Sequence, residues 1–238
     1  MPMFDPDCPD IVDRSGIVHK GMERWGFNSS DYPTPETKET IGYLRTFRIH
    51  GRDHARAFGH IAYLPEYAKA VQAVPTKVVF NMRDPRDVVI AEVAYIKIYE
   101  RLGEVSRAWL NYRRVTDGKR IHELSDPISE MIRVDAVRWR NWIGWLDHDF
   151  TIPLHYEELR LRPLETAEWL TEALEGCELS KPPEQMAEAT GRGRKPGSTS
   201  PSFRKGKVGE WKRYFRDRHK KLAKELMGDI IERLGYEI

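Results

Sequence analysis

The sequence predicts an α/β protein in which a parallel sheet is flanked by helices. Two apolar runs rich in β-branched residues, at Thr76–Met82 and Phe150–Tyr156, are typical of buried strands. Segments with the apolar spacing of amphipathic helices follow them, and this alternation indicates helices packed on a sheet. The 238 residues, 40% hydrophobic and 32% charged, can form one globular domain with a substantial core and exclude a disordered chain.

Residues 1–40, rich in Pro, Asp, Ser and Gly, are expected to form an irregular N-terminal segment, and residues 41–238 a single domain. A further strand is expected near Tyr43–Ile49, and a Gly/Ser/Pro-rich loop at 190–202. Apolar periodicity predicts four helices. Their expected positions are from about Arg86 to Gly103, from Ile128 to Asp147, from Pro163 through Leu174, and from about Arg218 to Leu234 with Gly235 as cap.

Composition predicts a cytoplasmic protein without a membrane partner. Two cysteines, Cys8 and Cys177, cannot build a disulfide framework and suit a reducing compartment. The acidic, Pro-rich N-terminus is unlike a secretory signal. No apolar run approaches the roughly 18 residues that a membrane span needs.

Positive charge is concentrated near the C-terminus. Residues 191–221 hold twelve Lys or Arg against two acids, a local net charge of +10 within a chain of net charge +2. The remainder of the chain is therefore acidic, and the basic segment points to a localised anionic ligand. Charge alone leaves a nucleic-acid surface or a solvated face as alternatives.

Three segments carry residues suited to chemistry. Arg83 to Asp87 (RDPRD) follows a predicted parallel strand, where ligands bind in open α/β sheets and an arginine fork can grip a phosphate. The alternative is a helix-start turn in which Asp84 caps the helix and Arg86 pairs with a surface acid. Ser202 to Lys212 (SFRKGKVGEWK) mixes glycines with cations, as an anion-binding nest does, or else forms a basic loop.

The third segment, GHIAYLP, contains His60, whose imidazole can serve as a general base near neutral pH. A structural histidine is the alternative. His50 and His54 have no acidic or Cys partner at a recognisable spacing, so no metal site is predicted.

Taken together, these motifs resemble sulfotransferases that use 3′-phosphoadenosine 5′-phosphosulfate (PAPS). The similar stretches are GHIAYLPEY, TKVVFNMRDPRDVVIAEVAYI, HYEELRLRPLETAEWLTEAL and FRKGKVGEWKRYF, in family order from about residue 55 onward. The resemblance implies a P-loop-NTPase-like sulfotransferase architecture. It implies transfer of a sulfuryl group to a hydroxyl or amine of a small-molecule or carbohydrate acceptor, and it disfavours a nucleic-acid partner. It is also compatible with a homodimer contact near the basic loop.

The resemblance assigns roles to individual residues. Arg83 would bind the cofactor's 3′-phosphate, together with Arg204, Lys205 and Gly206 from the C-terminal loop. Tyr156 would lie near the adenine, and His60 would take the proton from the acceptor hydroxyl.

Two departures from the family pattern affect these expectations. Ala91 stands where the family has a serine that helps to hold the 3′-phosphate. The family's P-K/R-S-G-T-T loop, which binds the 5′-phosphosulfate, has only a partial counterpart in Asp13 to Gly16 (DRSG). The chain is therefore expected to lack that loop, through a shortened start or divergence. The alternative function is a non-catalytic relative that binds the nucleotide or a partner.

Overall fold

The computed structural model describes residues 11–12, 18–19, 24–27, 56–59, 62–73, 77–102, 119–174, 182–191 and 206–238. The strands are β1 (Ile11–Val12), β2 (Val18–His19), β3 (Arg24–Phe27), β4 (Arg56–Gly59), β5 (Val78–Met82) and β6 (Thr151–His155). The helices are α1 (Pro65–Gln72), α2 (Pro85–Leu102), α3 (Pro127–Trp142), α4 (Tyr156–Leu161), α5 (Pro163–Ala173), α6 (Pro183–Gly191), α7 (Trp211–Tyr214) and α8 (Asp217–Arg233). Two 3₁₀ helices span Ile121–Glu123 and Ile143–Asp147.

The described strands form three pairs. β1 and β2 are antiparallel, β3 and β4 are parallel, and β5 is hydrogen-bonded to β6. The prediction of an α/β class is confirmed, and the two predicted strands occur as β5 and β6. The expected strand near Tyr43–Ile49 lies outside the described residues.

The predicted helices occur with small differences in their bounds. The segment from Ile128 to Asp147, expected as one helix, becomes the α-helix α3 followed by a 3₁₀ helix from Ile143. The physical reason is a competing hydrogen bond, because the Asn141 carbonyl accepts the Tyr63 N–H at 2.6 Å. That carbonyl would otherwise accept the N–H of Trp145 in a continued α-helix.

The chain forms two compact units. The first comprises Met1–Val79, Asn141–Ile152 and Gly176–Glu178, and the second comprises Phe80–Arg140, Pro153–Glu175 and Leu179–Ile238.

The first unit packs around the Tyr63 ring. This ring lies edge-on to Trp145 with centroids 5.6 Å apart, and the Tyr63 hydroxyl is 3.2 Å from Nε2 of His148. A Cβ at Gly144 would lie only 2.3 Å from the Tyr63 ring, so a glycine is required there for the close approach.

The second unit has a helical core. Buried apolar side chains come from α2, α3 and α8, and the most deeply buried are Val89, Ile96, Met131, Ile132, Met227, Ile230 and Ile231. The apolar repeat of the last helix, expected at Leu222, Leu226, Ile230 and Leu234, is buried at Ile230 and Leu234 and half-buried at Leu222 and Leu226. The helical periodicity was thus predicted correctly, and in the first half of α8 the neighbouring Ala223 and Met227 are the more buried residues.

A buried ion pair connects α2 to α3. Arg138 on α3 donates to Glu92 on α2 and to Asp135 at 3.1 Å, and the Arg138 side chain is 7% exposed. Because buried charges are costly unless paired, this contact holds the two helices in one register.

Asp126 caps α3 and also contacts α8. Its carboxylate accepts the Ser129 hydroxyl at 2.7 Å and lies 3.0 Å from Nε2 of the buried His219. Pro127 follows at the first helical position, where its missing N–H costs nothing. Burial acts to raise the pKa of Asp126, but the hydrogen bonds from Ser129 and His219 outweigh it, so the pKa lies below its ordinary value of 3.8.

Replacing Asp126 by asparagine should lower the free energy of unfolding at pH 7 by about 1–2 kcal/mol. A carboxylate with a depressed pKa stabilises the fold above its ordinary pKa, and this stabilisation disappears as the pH falls through the folded-state value. Urea titrations at pH 7 and at about pH 3 measure the difference between wild type and variant. A difference of the same size at both pH values would contradict the assignment.

Within the described residues, no helix is both long and apolar enough to cross a bilayer.

Candidate functional site

The ends of β5 and β6 lie side by side in the second unit. β5 ends at Met82 just before Arg83, and β6 ends at His155 just before Tyr156. The backbone N–H of Asp84 donates to Oε1 of Glu157 at 3.1 Å, which joins the two strand ends. The carboxyl end of a strand is where open α/β sheets bind ligands.

Arg83 projects from this edge and is held on one side by an aromatic ring. Its guanidinium carbon lies 4.7 Å from the centroid of the Tyr156 ring, within cation–π distance. Nη2 donates to the Lys207 carbonyl at 2.9 Å and lies 3.4 Å from Oδ2 of Asp87. Nε is buried without a hydrogen-bond partner among the described residues. The guanidinium is thus oriented and keeps donor capacity.

Gly206 brings the C-terminal loop to the same place. It has a φ of +59°, in the left-handed region that favours glycine. A Cβ there would lie 2.9 Å from the Tyr156 hydroxyl and 3.4 Å from the Arg160 guanidinium carbon. The loop backbone therefore passes directly over α4.

The structure thus brings together three of the residues predicted for the cofactor: Arg83, Tyr156 and Gly206. Ala91 lies in the second turn of α2, half-buried, and offers only a methyl group. His60, Arg204, Lys205 and the Asp13 to Gly16 segment lie outside the described residues.

Arg160 was missed by the sequence analysis. It lies four residues after Tyr156 on α4, and residues at that spacing share one face of a helix. The four-residue spacing of Tyr156 and Arg160 is present in the sequence, but it places both side chains on one face only if this stretch is a helix.

The helix-start turn expected as an alternative is also present. Asp84 accepts the Arg86 backbone N–H at 2.9 Å and forms a two-point ion pair with the Arg86 guanidinium at 2.9 and 2.8 Å. Arg86 pairs with this buried carboxylate rather than with a surface acid, because the guanidinium is itself only 8% exposed. Arg86 is therefore structural, so of the two arginines in the RDPRD motif it is Arg83 that keeps donor capacity for a ligand.

Loop 206–211 is fastened to the start of α2 by a set of contacts that we call the Asp87 clasp. Asp87 accepts the N–H groups of Gly209 at 2.7 Å and Trp211 at 2.8 Å. The Trp211 ring also lies 3.9 Å from the Arg86 guanidinium carbon. Burial raises the pKa of Asp87, against the opposing effects of the Trp211 N–H and of Arg83.

Tyr236, near the C-terminus, contacts the residues on either side of Tyr156. The Tyr236 hydroxyl donates to Oε2 of Glu157 at 2.7 Å and lies 3.1 Å from Nδ1 of His155. Burial, followed by the contact with Glu157, raises the pKa of Tyr236, so the hydroxyl stays protonated and remains a donor. Glu157 is thereby held against both the C-terminus and Asp84.

The chain is similar in structure to known proteins. Mouse sulfotransferase SULT7A1, solved in complex with 3′-phosphoadenosine 5′-phosphate (PAP), is 16% identical with a TM-score of 0.50, over 88% of this chain and 74% of its own. A retinol dehydratase complex with androsterone and inactive cofactor PAP is 16% identical, with a TM-score of 0.42, over 87% of this chain and 68% of its own. A retinol dehydratase complex with retinol and PAP is 18% identical, with a TM-score of 0.44, over 87% of this chain and 65% of its own.

No protein-family model and no curated protein sequence matches the chain. The assignment of the fold therefore rests on the similarity to a solved structure. The chain has a sulfotransferase-like α/β fold. The likeness to mouse sulfotransferase SULT7A1 supports this assignment of the fold.

Proposed function

We propose that this protein is a sulfotransferase that binds PAPS and transfers its sulfuryl group to a hydroxyl or amine acceptor. The observation that carries the proposal is the meeting of Arg83, Tyr156 and Gly206 from three separate parts of the chain. Three of the four stretches that resemble the family in sequence thus each contribute a residue to this location. We further propose that the acceptor is a small molecule or carbohydrate and that the basic segment serves the nucleotide rather than nucleic acid.

The residues at this location fit a doubly charged phosphate. Arg83 offers a planar fork of donors, and Arg160 places a second guanidinium beside the same loop. The buried Nε of Arg83 is a donor that no described residue uses. We propose that Arg83 holds the 3′-phosphate with Arg204, Lys205 and Gly206, and that Tyr156 lies near the adenine.

In the proposed reaction, different residues bind the nucleotide and accept the proton. PAPS supplies an activated sulfuryl group when bound. His60 would take the proton of the acceptor hydroxyl, and the transfer would leave PAP as the product of the nucleotide. Arg83 keeps the nucleotide in place throughout, since its contact is to the 3′-phosphate, away from the reacting atoms.

A nucleotide-binding protein without turnover is the second candidate. It is favoured by Ala91, which offers no hydroxyl to the phosphate, and by the partial match of Asp13 to Gly16 to the family's 5′-phosphosulfate loop. Without that loop, the negative charge on the transferring group would lose its main electrostatic partner. The two candidates share the nucleotide site and differ only in turnover.

Calorimetric titration with PAP, with AMP as the control, tests the nucleotide site. We expect PAP to bind at least about ten-fold more tightly, because only PAP offers the 3′-phosphate to Arg83. Equal affinities for the two nucleotides, or no binding of either by the folded chain, would overturn the proposal. Release of PAP from PAPS in the presence of mixed alcohol, phenol and amine acceptors then separates the enzyme from the binding protein.

Alanine substitutions at two glycines of the loop form a matched pair. Both Gly206 and Gly209 have positive φ, +59° and +71°, so either substitution carries a similar backbone strain of about 1–2 kcal/mol. Only at Gly206 would the new Cβ meet Tyr156 and Arg160, whereas nothing lies within 4 Å at Gly209. Gly206→Ala should therefore bind PAP about ten-fold more weakly than Gly209→Ala. Calorimetry of both variants measures this ratio, and affinities within about three-fold of wild type in both variants would show that Gly206 does not border the nucleotide.

A further inference from the structure

Asp87 is buried at the centre of the contacts that hold the C-terminal loop. Its side chain has 0% exposure, although it lies in the first turn of α2, beside the candidate site. Oδ1 accepts the Trp211 N–H, and Oδ2 accepts the Gly209 N–H and faces Nη2 of Arg83. Both carboxylate oxygens are thus occupied by donors from elsewhere in the chain.

The backbone conformation of loop 206–211 allows both of these hydrogen bonds. Gly209 has a φ of +71° although its side-chain position is open, so the left-handed turn is not required by crowding. The turn directs two N–H groups, two residues apart, at one carboxylate. Because hydrogen bonds to a charged group are stronger than neutral ones, this pair of bonds determines where the loop lies.

The position of the loop sets the position of the cofactor site. Lys207, two residues before Gly209, places its carbonyl 2.9 Å from Nη2 of Arg83. The backbone at Gly206 lies directly against the Tyr156 hydroxyl and the Arg160 side chain. A change in the clasp would therefore move the loop relative to Arg83 and Tyr156 together.

We propose that Asp87 is a positioning residue: it sets the affinity for the 3′-phosphate by holding loop 206–211 against the end of β5, without touching the nucleotide. This inference rests on the proposed function. A direct role is excluded, because a buried carboxylate whose oxygens are occupied offers a phosphate only repulsion. Its contribution instead passes to the rest of the loop through Gly209 and Trp211, and to Arg83 through the contact of Oδ2 with Nη2.

Asp87→Asn is the informative variant. An amide of the same size keeps one oxygen acceptor but turns an N–H₂ group towards one of the two loop N–H groups. Since burial raises the pKa of Asp87, the neutral side chain also relieves a desolvation cost, which favours retention of the fold. Asp126→Asn is the matched control, because Asp126 is another hydrogen-bonded carboxylate near a helix start but contacts α8 instead of the loop.

The test measures PAP and AMP affinity by calorimetry. In Asp87→Asn we expect PAP binding to weaken by about 10- to 100-fold while AMP binding changes less than about three-fold. Asp126→Asn should keep both affinities within about three-fold of wild type. Equal weakening of both nucleotides by Asp87→Asn would indicate a merely structural role and would overturn the inference, as would an unchanged preference for PAP.

Amide hydrogen exchange in wild type gives a second readout that needs no variant. Coupling between loop and nucleotide is reciprocal, so PAP should slow the exchange of the Gly209 and Trp211 amides more than AMP does. If PAP binds preferentially but leaves these two amides unchanged, the inference fails while the proposed function stands. If wild type does not prefer PAP over AMP, the proposed function itself fails.

Discussion

Arg83→Ala should weaken PAP binding by about 100-fold or more, because at least two charge-assisted hydrogen bonds to the 3′-phosphate are lost together. AMP binding should change little, since AMP lacks that phosphate. Arg83→Lys should recover only part of the affinity, because an ammonium keeps the charge but not the planar fork that stacks on Tyr156. Calorimetry with both nucleotides measures the effect.

Arg140→Ala is the control for charge. Arg140 is 49% exposed and pairs with the exposed Asp229 at 3.2 Å, a kind of surface ion pair that contributes about 0–1 kcal/mol to stability. Its removal lowers the net charge as Arg83→Ala does, but it should leave PAP affinity within about three-fold of wild type. If the two variants lose affinity equally, the effect is long-range electrostatics and Arg83 is not a ligand of the phosphate.

His60→Ala should reduce sulfuryl transfer by about 10²- to 10⁴-fold while leaving PAP affinity unchanged. An acceptor hydroxyl is a weak nucleophile until its proton is removed, and imidazole is the side chain whose pKa suits that task near neutral pH. The split between turnover and binding is the diagnostic feature, since the proposal assigns His60 to the acceptor and Arg83 to the 3′-phosphate. The measurement is PAP release from PAPS with a mixed panel of acceptors.

His122→Ala is the matched control for the histidine. The His122 side chain is 62% exposed and pairs with Glu100 at 3.2 Å, outside the site described. This variant should keep wild-type turnover. Equal losses in both variants would remove His60 as the base. A wild-type chain that binds PAP but releases no product with any acceptor would favour the non-catalytic alternative.

The local elements were predictable because their signals are local. The β-branched run before Arg83 and the repeating apolar positions after it specify a strand and a helix through steric and packing preferences of near neighbours. α4 was not predicted, because HYEELRL is short, charged and without a buried face of its own. It is stabilised by tertiary contacts, among them the bonds of Glu157 to Asp84 and Tyr236.

For this protein the sequence alone determined the α/β class, the residue that ends β5, and the motifs that resemble a PAPS-dependent sulfotransferase. Only the tertiary structure decided which groups each arginine of the RDPRD motif contacts. Arg83 and Arg86 are equivalent in the RDPRD motif, yet Arg86 is committed to a buried carboxylate and Trp211. Arg83 instead reaches a loop more than a hundred residues away. A sequence pattern records neighbours along the chain, whereas charge pairing and burial depend on neighbours in space.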